Sequence, residues 1–384
     1  VRFIHTSDWH LGRLFHGKHL TEDQSYVLEQ FYQVVKDTKP NAILIAGDIY
    51  DRAVPPIEAV ELLDDTLARL LLDQKIPVIM IAGNHDSAQR IGFGSKLLAG
   101  QGLYVTGQLT NPLKPVVLTD SFGDVYFMPF TYAEPSLVRS IYQRNEWLDF
   151  DGAMKFLVQQ SLQRIPEGVR KVAVAHAFIA GGQESESERP LSVGGSSNVS
   201  AGNFADFDYT ALGHLHNSQK AGGKQICYSG SLMKYSFDEA NQTKGINIVD
   251  MDKNGQVEIE MVSLKPKYDV CKVSGYFADI LQNREQYPSQ EDYMMVSLKD
   301  TQAILDVHGQ LEKIYPNLMQ IERPYLNIGG KLTEARLDYR TKTELQLFGD
   351  FFQQMTDREL SQEQKQTFAT NLDELFLKTR EGKL

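Results

Sequence analysis

Five short segments of this chain place Asp, Asn or His just after apolar runs, and these residue types are the hard oxygen and imidazole ligands of divalent metals. The segments are Asp8-Trp9-His10, Gly47-Asp48-Ile49-Tyr50-Asp51, Gly83-Asn84-His85-Asp86, a lone His176, and Gly213-His214-Leu215-His216. Asp-x-His offers a carboxylate and an imidazole to one ion, and a carboxylate such as Asp48 can bridge two ions through its two oxygens. In His214-x-His216, alternate residues of an extended segment share a face. Two divalent ions ~3.5–4 Å apart can activate a water and clamp the oxygens of a phosphate. The set therefore reads as a di-metal phosphoesterase centre with Asp8, His10, Asp48, Asn84, His176, His214 and His216 as ligands. His85 adjoins a ligand, so its imidazole can face the phosphate and protonate a leaving oxygen. Asp86 is expected to orient that imidazole through a hydrogen bond.

No single segment carries this reading. Most Asp-x-His or Gly-Asn matches are turns or caps, and a lone His176 is more often a satisfied core histidine. The weight comes from all five occurring in order. His5, His16, His19 and His308 fall outside the set and are expected at the surface or at strand ends. His16 and His19 share a loop with Arg13 and Lys18, where phosphate contact is one option.

The elements that must position these residues are legible as alternating patterns. Residues 2–6, 42–46, 78–82, 125–130, 172–176 and 209–213 are short apolar runs that read as buried strands. Between them, Tyr26, Leu28, Phe31, Tyr32, Val34 and Val35 cluster on one helical face. Ile57–Leu72, entered through Pro55-Pro56, repeats apolar residues at helical spacing. Strand–helix alternation predicts an α/β layered domain, with ligands at the carboxyl ends of the strands, where sites of such sheets form. Gly47, Gly83 and Gly213 each precede a ligand and permit a sharp turn or a close backbone approach. Residues 181–202 are Gly-, Ser- and Glu-rich and read as a long loop or lid. After a connector near 263–269 comes a smaller βαβ-type unit: a strand near Met294–Leu298, a helix near Thr301–Tyr315 and a strand near Leu318–Arg323. From Thr341 the pattern is helical, with Leu345, Phe348, Phe351, Phe352 and Met355 on one face. Ser361-Gln-Glu-Gln opens a further helix in the manner of a capping box.

At 384 residues, with 42% hydrophobic and 23% charged residues, the chain has the composition of a soluble protein of two or three domains. Cys227 and Cys271 lie far apart in no ligand spacing, which argues against a disulfide scaffold and suits a reducing cytosol. No apolar stretch is long enough to span a membrane, so a cytoplasmic protein is expected. The net charge of −11 argues only mildly against nucleic acid, since divalent ions invert the local sign of a carboxylate-lined site.

On these motifs the chain resembles the calcineurin-like metallophosphoesterase superfamily. Within it, His5-Thr6-Ser7-Asp8-Trp9-His10-Leu11-Gly12, Gly83-Asn84-His85-Asp86-Ser87 and Phe207–His216 resemble the bacterial DNA double-strand-break repair nucleases. Ser187-Glu188-Arg189-Pro190 in the lid does so too. The resemblance spans essentially the whole chain. It implies a two-sheet αββα sandwich as the nuclease domain over 1–265, a small α/β domain at 270–335 that caps the DNA site, and C-terminal helices at 341–384. Those helices would dock on the coiled coil of an SMC-like ATPase, SbcC. The implied ligand split is Asp8, His10, Asp48 and His216 for one ion and Asp48, Asn84, His176 and His214 for the other, with His85 acting on the scissile phosphate. The implied activity is Mn²⁺-dependent, other divalent ions also fitting: exonuclease action on duplex ends and endonuclease action on single strands and hairpins. Its setting would be DNA repair, recombination and replication. A homodimer through Ile57–Leu72 and Ile91–Leu98 is a further expectation.

Two alternatives stand beside this. Gly47-Asp48-x-x-Asp51-Arg52 is similar to the Ser/Thr phosphatase branch, which would make the chain a phosphoprotein or small-molecule phosphoesterase. Ala53 and Asp86 depart from that branch. A scaffold with a degenerate metal site would lack ligands, and none is missing.

Overall fold

The six runs expected as strands form the centres of two six-stranded sheets. The computed structural model describes residues 1–144, 149–191, 197–223, 225–282, 290–302, 304–325, 345, 348, 349, 352, 353 and 358–380. The first sheet runs in the order Val257–Ser263, Gly245–Met251, Arg2–Thr6, Ala42–Ile45, Val78–Ile81, Leu103–Thr106. Its last four strands are mutually parallel. The second runs Gln219–Lys220, Ile226–Tyr228, Tyr209–Gly213, Arg170–His176, Gly123–Phe130, Val116–Asp120, with a parallel centre.

Period-two alternation along these strands builds the layers. Phe3, Ala42, Leu44, Ile79 and Ile81 of the first sheet meet Val125, Phe127, Val172, Val174, Tyr209 and Ala211 of the second in a dry core between the sheets. Ile4, Ile43, Ile45, Val78 and Met80 point the other way, against the helices Thr21–Thr38 and Ile57–Ala68. Ala173, Ala175 and Leu212 pack on the helix Phe150–Leu162. The result is a four-layer α/β sandwich in which the carboxyl ends of both parallel sets open on the same edge. Both central strand sets are buried on two faces, which is why they read as continuous apolar runs.

Several boundaries differ from the sequence reading. Tyr26 is exposed; the buried face of its helix is Asp23, Gln24, Val27, Leu28, Phe31 and Val35. Ile57–Ala68 is regular helix, and the wider turn Arg69–Asp73 follows it. The helix expected over Thr301–Tyr315 is only Val307–Glu312, because Asp306 takes a left-handed conformation and its side chain caps the Gly309 amide. His5 is fully buried in its strand, away from the surface, whereas His19 and His308 are exposed.

A parallel three-stranded sheet, Val270–Gly275, Tyr293–Leu298 and Leu318–Glu322, carries its own core of Val273, Ile280, Val296, Leu298 and Leu311. It is fastened to the sandwich: Tyr293 donates to Asp23 Oδ2 at 2.8 Å, and Lys18 lies 4.7 Å from the Tyr293 ring. The capping box is present, with Ser361 N donating to Gln364 Oε1 at 2.9 Å and Gln364 N to Ser361 Oγ at 3.2 Å, and it opens the helix Gln362–Arg380. The apolar face expected over 345–355 lies largely outside the described residues. Among the described residues, no helix is long and apolar enough to cross a membrane.

Candidate metal centre

The loops that follow the first two parallel strands zip together through their backbones. Asp8 N donates to Gly47 O at 3.0 Å, His10 N to Asp48 O at 3.0 Å and Leu11 N to Ile49 O at 2.9 Å. Asp8, His10 and Asp48 all take positive φ, between 45° and 53°, and His214 takes 111°. Such conformations cost non-glycine residues of order 1–3 kcal/mol each and persist where surrounding structure over-determines them. The bracing is visible. Gln24, reaching up from its helix, donates to His10 O at 2.8 Å and Trp9 O at 3.1 Å and accepts from Gly12 N at 3.1 Å. Tyr235 donates to Trp9 O at 2.5 Å.

Two glycines allow the sheets' ends to approach. A Cβ on Gly83 would stand 2.1 Å from Asp48 Oδ1, and one on Gly213 would stand 2.0 Å from Ala46 O.

All seven expected ligands are buried and converge on this edge. Asp48 Oδ2 is the hub, 3.5 Å from His176 Nε2, 3.8 Å from His10 Nε2 and 3.9 Å from His85 Nε2. His10 Nε2 and His216 Nε2 are 3.0 Å apart, and Asn84 Oδ1 is 2.9 Å from His176 Nε2. Donor atoms of Asp8, His10 and His216 form one compact group, and those of Asp8, Asp48 and His176 a second. His214 stands beside the second: its ring is 5.5 Å from that of His176, and its amide donates to both Asp8 oxygens at 3.0 and 3.1 Å.

The donor set fits divalent ions on hydrogen-bond grounds. His176 Nδ1 faces the Ala46 carbonyl at 2.9 Å, which only accepts, so that nitrogen carries the proton. Nε2 then faces two further acceptors, Asn84 Oδ1 and Asp48 Oδ2. With Asn84 Oδ1 turned toward the ring as it is here, acceptor against acceptor holds with a cation between them or a second proton on the ring. Without an ion the proton is the answer: burial opposes it, but Asp48 and Asp8 overcome burial and raise His176 to about 9. Burial likewise lifts Asp8, to about 8. Asp48 goes the other way; burial would raise it, yet the His176, His85 and His10 imidazoles hold it well below the ordinary carboxylate value. His10 and His214 are driven well below the usual imidazole value, first by burial and then by neighbouring imidazoles.

His85 is placed as expected, facing the hub, but its orientation has a different source. Its Nδ1 donates to Asp51 O at 2.8 Å, and its amide to Asp48 Oδ1 at 2.8 Å. Asp86 does not touch the imidazole. Its carboxylate accepts from the backbone amides of Gly83, Tyr50 and Ile49 at 2.9, 2.9 and 3.0 Å. Asp86 thus pins the Asp48 loop to the Asn84 loop, a correction of the orienting role read from sequence. The physical reason is that three converging N–H groups outcompete one imidazole for a half-buried carboxylate.

Residues 181–202 are in part fastened to the site. Ser187 Oγ lies 2.5 Å from His216 Nδ1, and Glu188 Oε1 accepts from His216 N at 2.6 Å. Residues 192–196 fall outside the described set. Beside this strap, a cleft of about 350 Å³ runs between the sandwich and the three-stranded sheet, lined by Arg13, Phe15, His16, Phe237, Lys272 and Glu322 among others. The bracing residues Gln24 and Tyr235, and Glu239 and Lys244 behind His216, carry no local motif by which sequence reading could have found them; Ser187 opens the Ser187-Glu188-Arg189-Pro190 run that the resemblance picked out, but without a role.

The calcineurin-like phosphoesterase family matches residues 1–218. The SbcD C-terminal family, described as the type 5 capsule protein repressor C-terminal domain, matches residues 266–356. The SbcD component of the nuclease SbcCD from Staphylococcus epidermidis is 34% identical over 382 residues, covering 100% of both chains. Among solved structures, a dimetal phosphatase from Danio rerio is 10% identical over 70% of this chain and 96% of its own, with a TM-score of 0.43. The calcineurin-like phosphoesterase YfkN from Bacillus subtilis is 14% identical over 69% of this chain and 90% of its own, with a TM-score of 0.39. The two family matches and the full-length relative place the chain in the calcineurin-like phosphoesterase family and, within it, among the SbcD nucleases.

Proposed function

We propose that this chain is a Mn²⁺-dependent DNA nuclease that removes nucleotides from duplex ends and cuts single strands and hairpins, working with the SMC-like ATPase SbcC in DNA end processing, repair and recombination. The observation that carries this reading is the convergence of buried acceptors on Asp48, in a chain related over its full length to a component of a nuclease. Asp8, His10, Asp48 and His216 would hold one ion, and Asp48, Asn84, His176 and His214 the other. When bound, the pair supplies Lewis acidity to the phosphate and a water acidic enough to attack it.

The chain's own residues do the rest. His85 spends Nδ1–H on the Asp51 carbonyl, so Nε2 is the atom that holds or delivers a proton at the leaving oxygen. Asp86 keeps the two loops in register. Arg13, bonded to Asp51 Oδ1 at 2.7 Å, stands where the site meets the cleft and is placed to meet a phosphate. The small domain read at 270–335, whose described sheet runs from Val270 to Glu322, would cap the DNA, and the segment 341–384 would dock on the SbcC coiled coil. A homodimer is supported by the exposed apolar side chains of Ile57, Phe93 and Leu97, which lie in the two segments read as its interface.

The test is cleavage of hairpin and end-labelled duplex DNA with Mn²⁺ and the partner ATPase, by wild type and His85→Leu. A nucleotide ladder from wild type, with cleavage about 10²–10⁴-fold slower in the variant, is expected. Brisk phosphomonoester turnover with indifference to DNA would overturn it in favour of the phosphoesterase alternative. Equal DNA cleavage by the two proteins would remove His85 from the mechanism.

A further inference from the structure

We infer that Ser187 and Glu239, which lie outside the expected ligand set, are positioning residues that select the tautomer of His216 and hold its Nε2 toward the metals. The inference rests on the two-ion reading above and goes beyond it by assigning a role to the strap at 183–188 and to a buried ion pair behind the site.

The argument is proton bookkeeping. Glu239 is fully buried. Its carboxylate is met by Lys244 Nζ at 2.6 Å, the Tyr235 amide at 3.2 Å and the Ser187 hydroxyl, while the single hydrogen of Ser236 Oγ goes to its shorter contact, Asp238 Oδ1. A carboxylate facing an ammonium and two further donors is an anion, and an anion only accepts. The Ser187 hydrogen therefore points to Glu239. That leaves Ser187 Oγ a lone pair for its other neighbour, His216 Nδ1, at 2.5 Å, so Nδ1 carries the imidazole proton. Direct approach of Nδ1 to Glu239 Oε1 at 3.4 Å favours the same tautomer. Nε2 is left with its lone pair, facing His10 Nε2 at 3.0 Å.

Backbone geometry holds the ring in place as firmly as its tautomer. Lys244 Nζ donates to His216 O at 2.7 Å, and Glu188 Oε1 accepts from the His216 amide. Two segments distant in sequence, the strap with Ser187 and Glu188 and the stretch from Glu239 to Lys244, thus clamp one residue. The same logic is met more simply at His176 and His85, where a backbone carbonyl fixes Nδ1–H. At His216 no carbonyl takes that place, and the strap supplies the acceptor instead. Carboxylates behind metal-bound imidazoles fix ring orientation and raise ligand basicity, and their loss typically costs about 10–100-fold in metal affinity.

The experiment uses the full-length chain with Mn²⁺ as the only probe. Mn²⁺ binding is titrated by electron paramagnetic resonance for wild type, Ser187→Ala, Ser187→Thr and Glu239→Gln. In parallel, the imidazole ¹⁵N shifts of the metal-free proteins are recorded, with the His216 signals assigned by their loss in His216→Gln. Expected are two ions in wild type, about 10–100-fold weaker binding of one ion in Ser187→Ala and Glu239→Gln, and recovery in Ser187→Thr, which keeps the hydroxyl. The His216 shifts are expected to report Nδ1–H in wild type and a mixture of tautomers in Ser187→Ala. Ser187 lies on the strap, so Ser187→Ala is informative even if Glu239→Gln fails to fold. Unchanged affinity and unchanged shifts in Ser187→Ala overturn the inference, as does Nε2–H on His216 in wild type. Wild type that binds no Mn²⁺ overturns the two-ion reading itself and takes this inference with it, which the titration shows separately from the shifts.

Discussion

His5 is a buried histidine that the chemistry does not use, and its replacement by Gln makes a quantitative test of the fold around the site. It lies between the sheets, with Nδ1 2.9 Å from Tyr209 Oη and Nε2 3.1 Å from Leu212 O. The carbonyl only accepts, so Nε2 carries the proton and Nδ1 takes the Tyr209 hydroxyl hydrogen; the ring is neutral and satisfied. A second proton would have to displace that hydroxyl in a medium that solvates charge poorly, and burial accordingly lowers His5 from 6.5 to about 3. The unfolded chain thus binds a proton near pH 6.5 that the folded chain refuses down to about pH 3. Stability from this group is complete above pH 6.5 and falls as pH drops toward 3, at about 1.4 kcal/mol per unit. From pH 7 to pH 5 the loss is about 2 kcal/mol. His5→Gln keeps an N–H for Leu212 O and removes the titration. Whatever constant penalty the variant carries, its disadvantage relative to wild type should shrink by about 2 kcal/mol over that interval. The assay is urea unfolding with chelator present, followed by fluorescence of buried Trp9 in a Trp147→Phe background. Parallel pH profiles, with the gap constant to about 0.5 kcal/mol, would refute a buried neutral His5.

The other predictions concern the loops and the ions. Gln24→Ala strands the Gly12 amide and takes one donor each from the Trp9 and His10 carbonyls, which keep the Tyr235 hydroxyl and the Arg13 amide; it should cost about 2 kcal/mol, read as a shift in the urea midpoint, and an unchanged midpoint would show that the loop braces itself. Asp86→Ala frees the amides of Ile49, Tyr50 and Gly83, with a loss of more than about 2 kcal/mol. On the two-ion reading, Mn²⁺ would displace the proton held on His176, which Asp48 and Asp8 raise to about 9 in the ion-free protein. Calorimetry at pH 7 should therefore give binding heats that scale with buffer ionisation enthalpy, and affinity should rise with pH toward 9; heats independent of buffer would contradict the acceptor-against-acceptor arrangement.

The candidate site was legible in the sequence because its ligands sit where local pattern is strongest. Asp8, Asp48 and Asn84 each end a strand whose apolar run is itself visible, and parallel strands in one sheet bring their carboxyl ends to one edge without any further instruction. The layered fold follows from the same runs, since strands buried on both faces must lie between covering layers. What stayed hidden is the tertiary half of the hydrogen bonding. Gln24 looks like one polar residue on an amphipathic helix, and only the fold shows that it occupies the buried face and braces a strained loop. Asp86, next to His85 in sequence, invited a pairwise reading that three backbone amides overrule. Ser187, Glu239 and Lys244 sit in segments whose composition reads as loop or surface, yet they meet around one imidazole. A buried carboxylate or hydroxyl has no sequence signature of its own; its meaning is set by which donors surround it, and those arrive from strands, strap and helix far apart along the chain. The candidate ligands are therefore written locally in this chain, while their protonation is decided by the fold. The two can be separated by mutation, since Ser187 and Glu239 act on His216 without belonging to the ligand set.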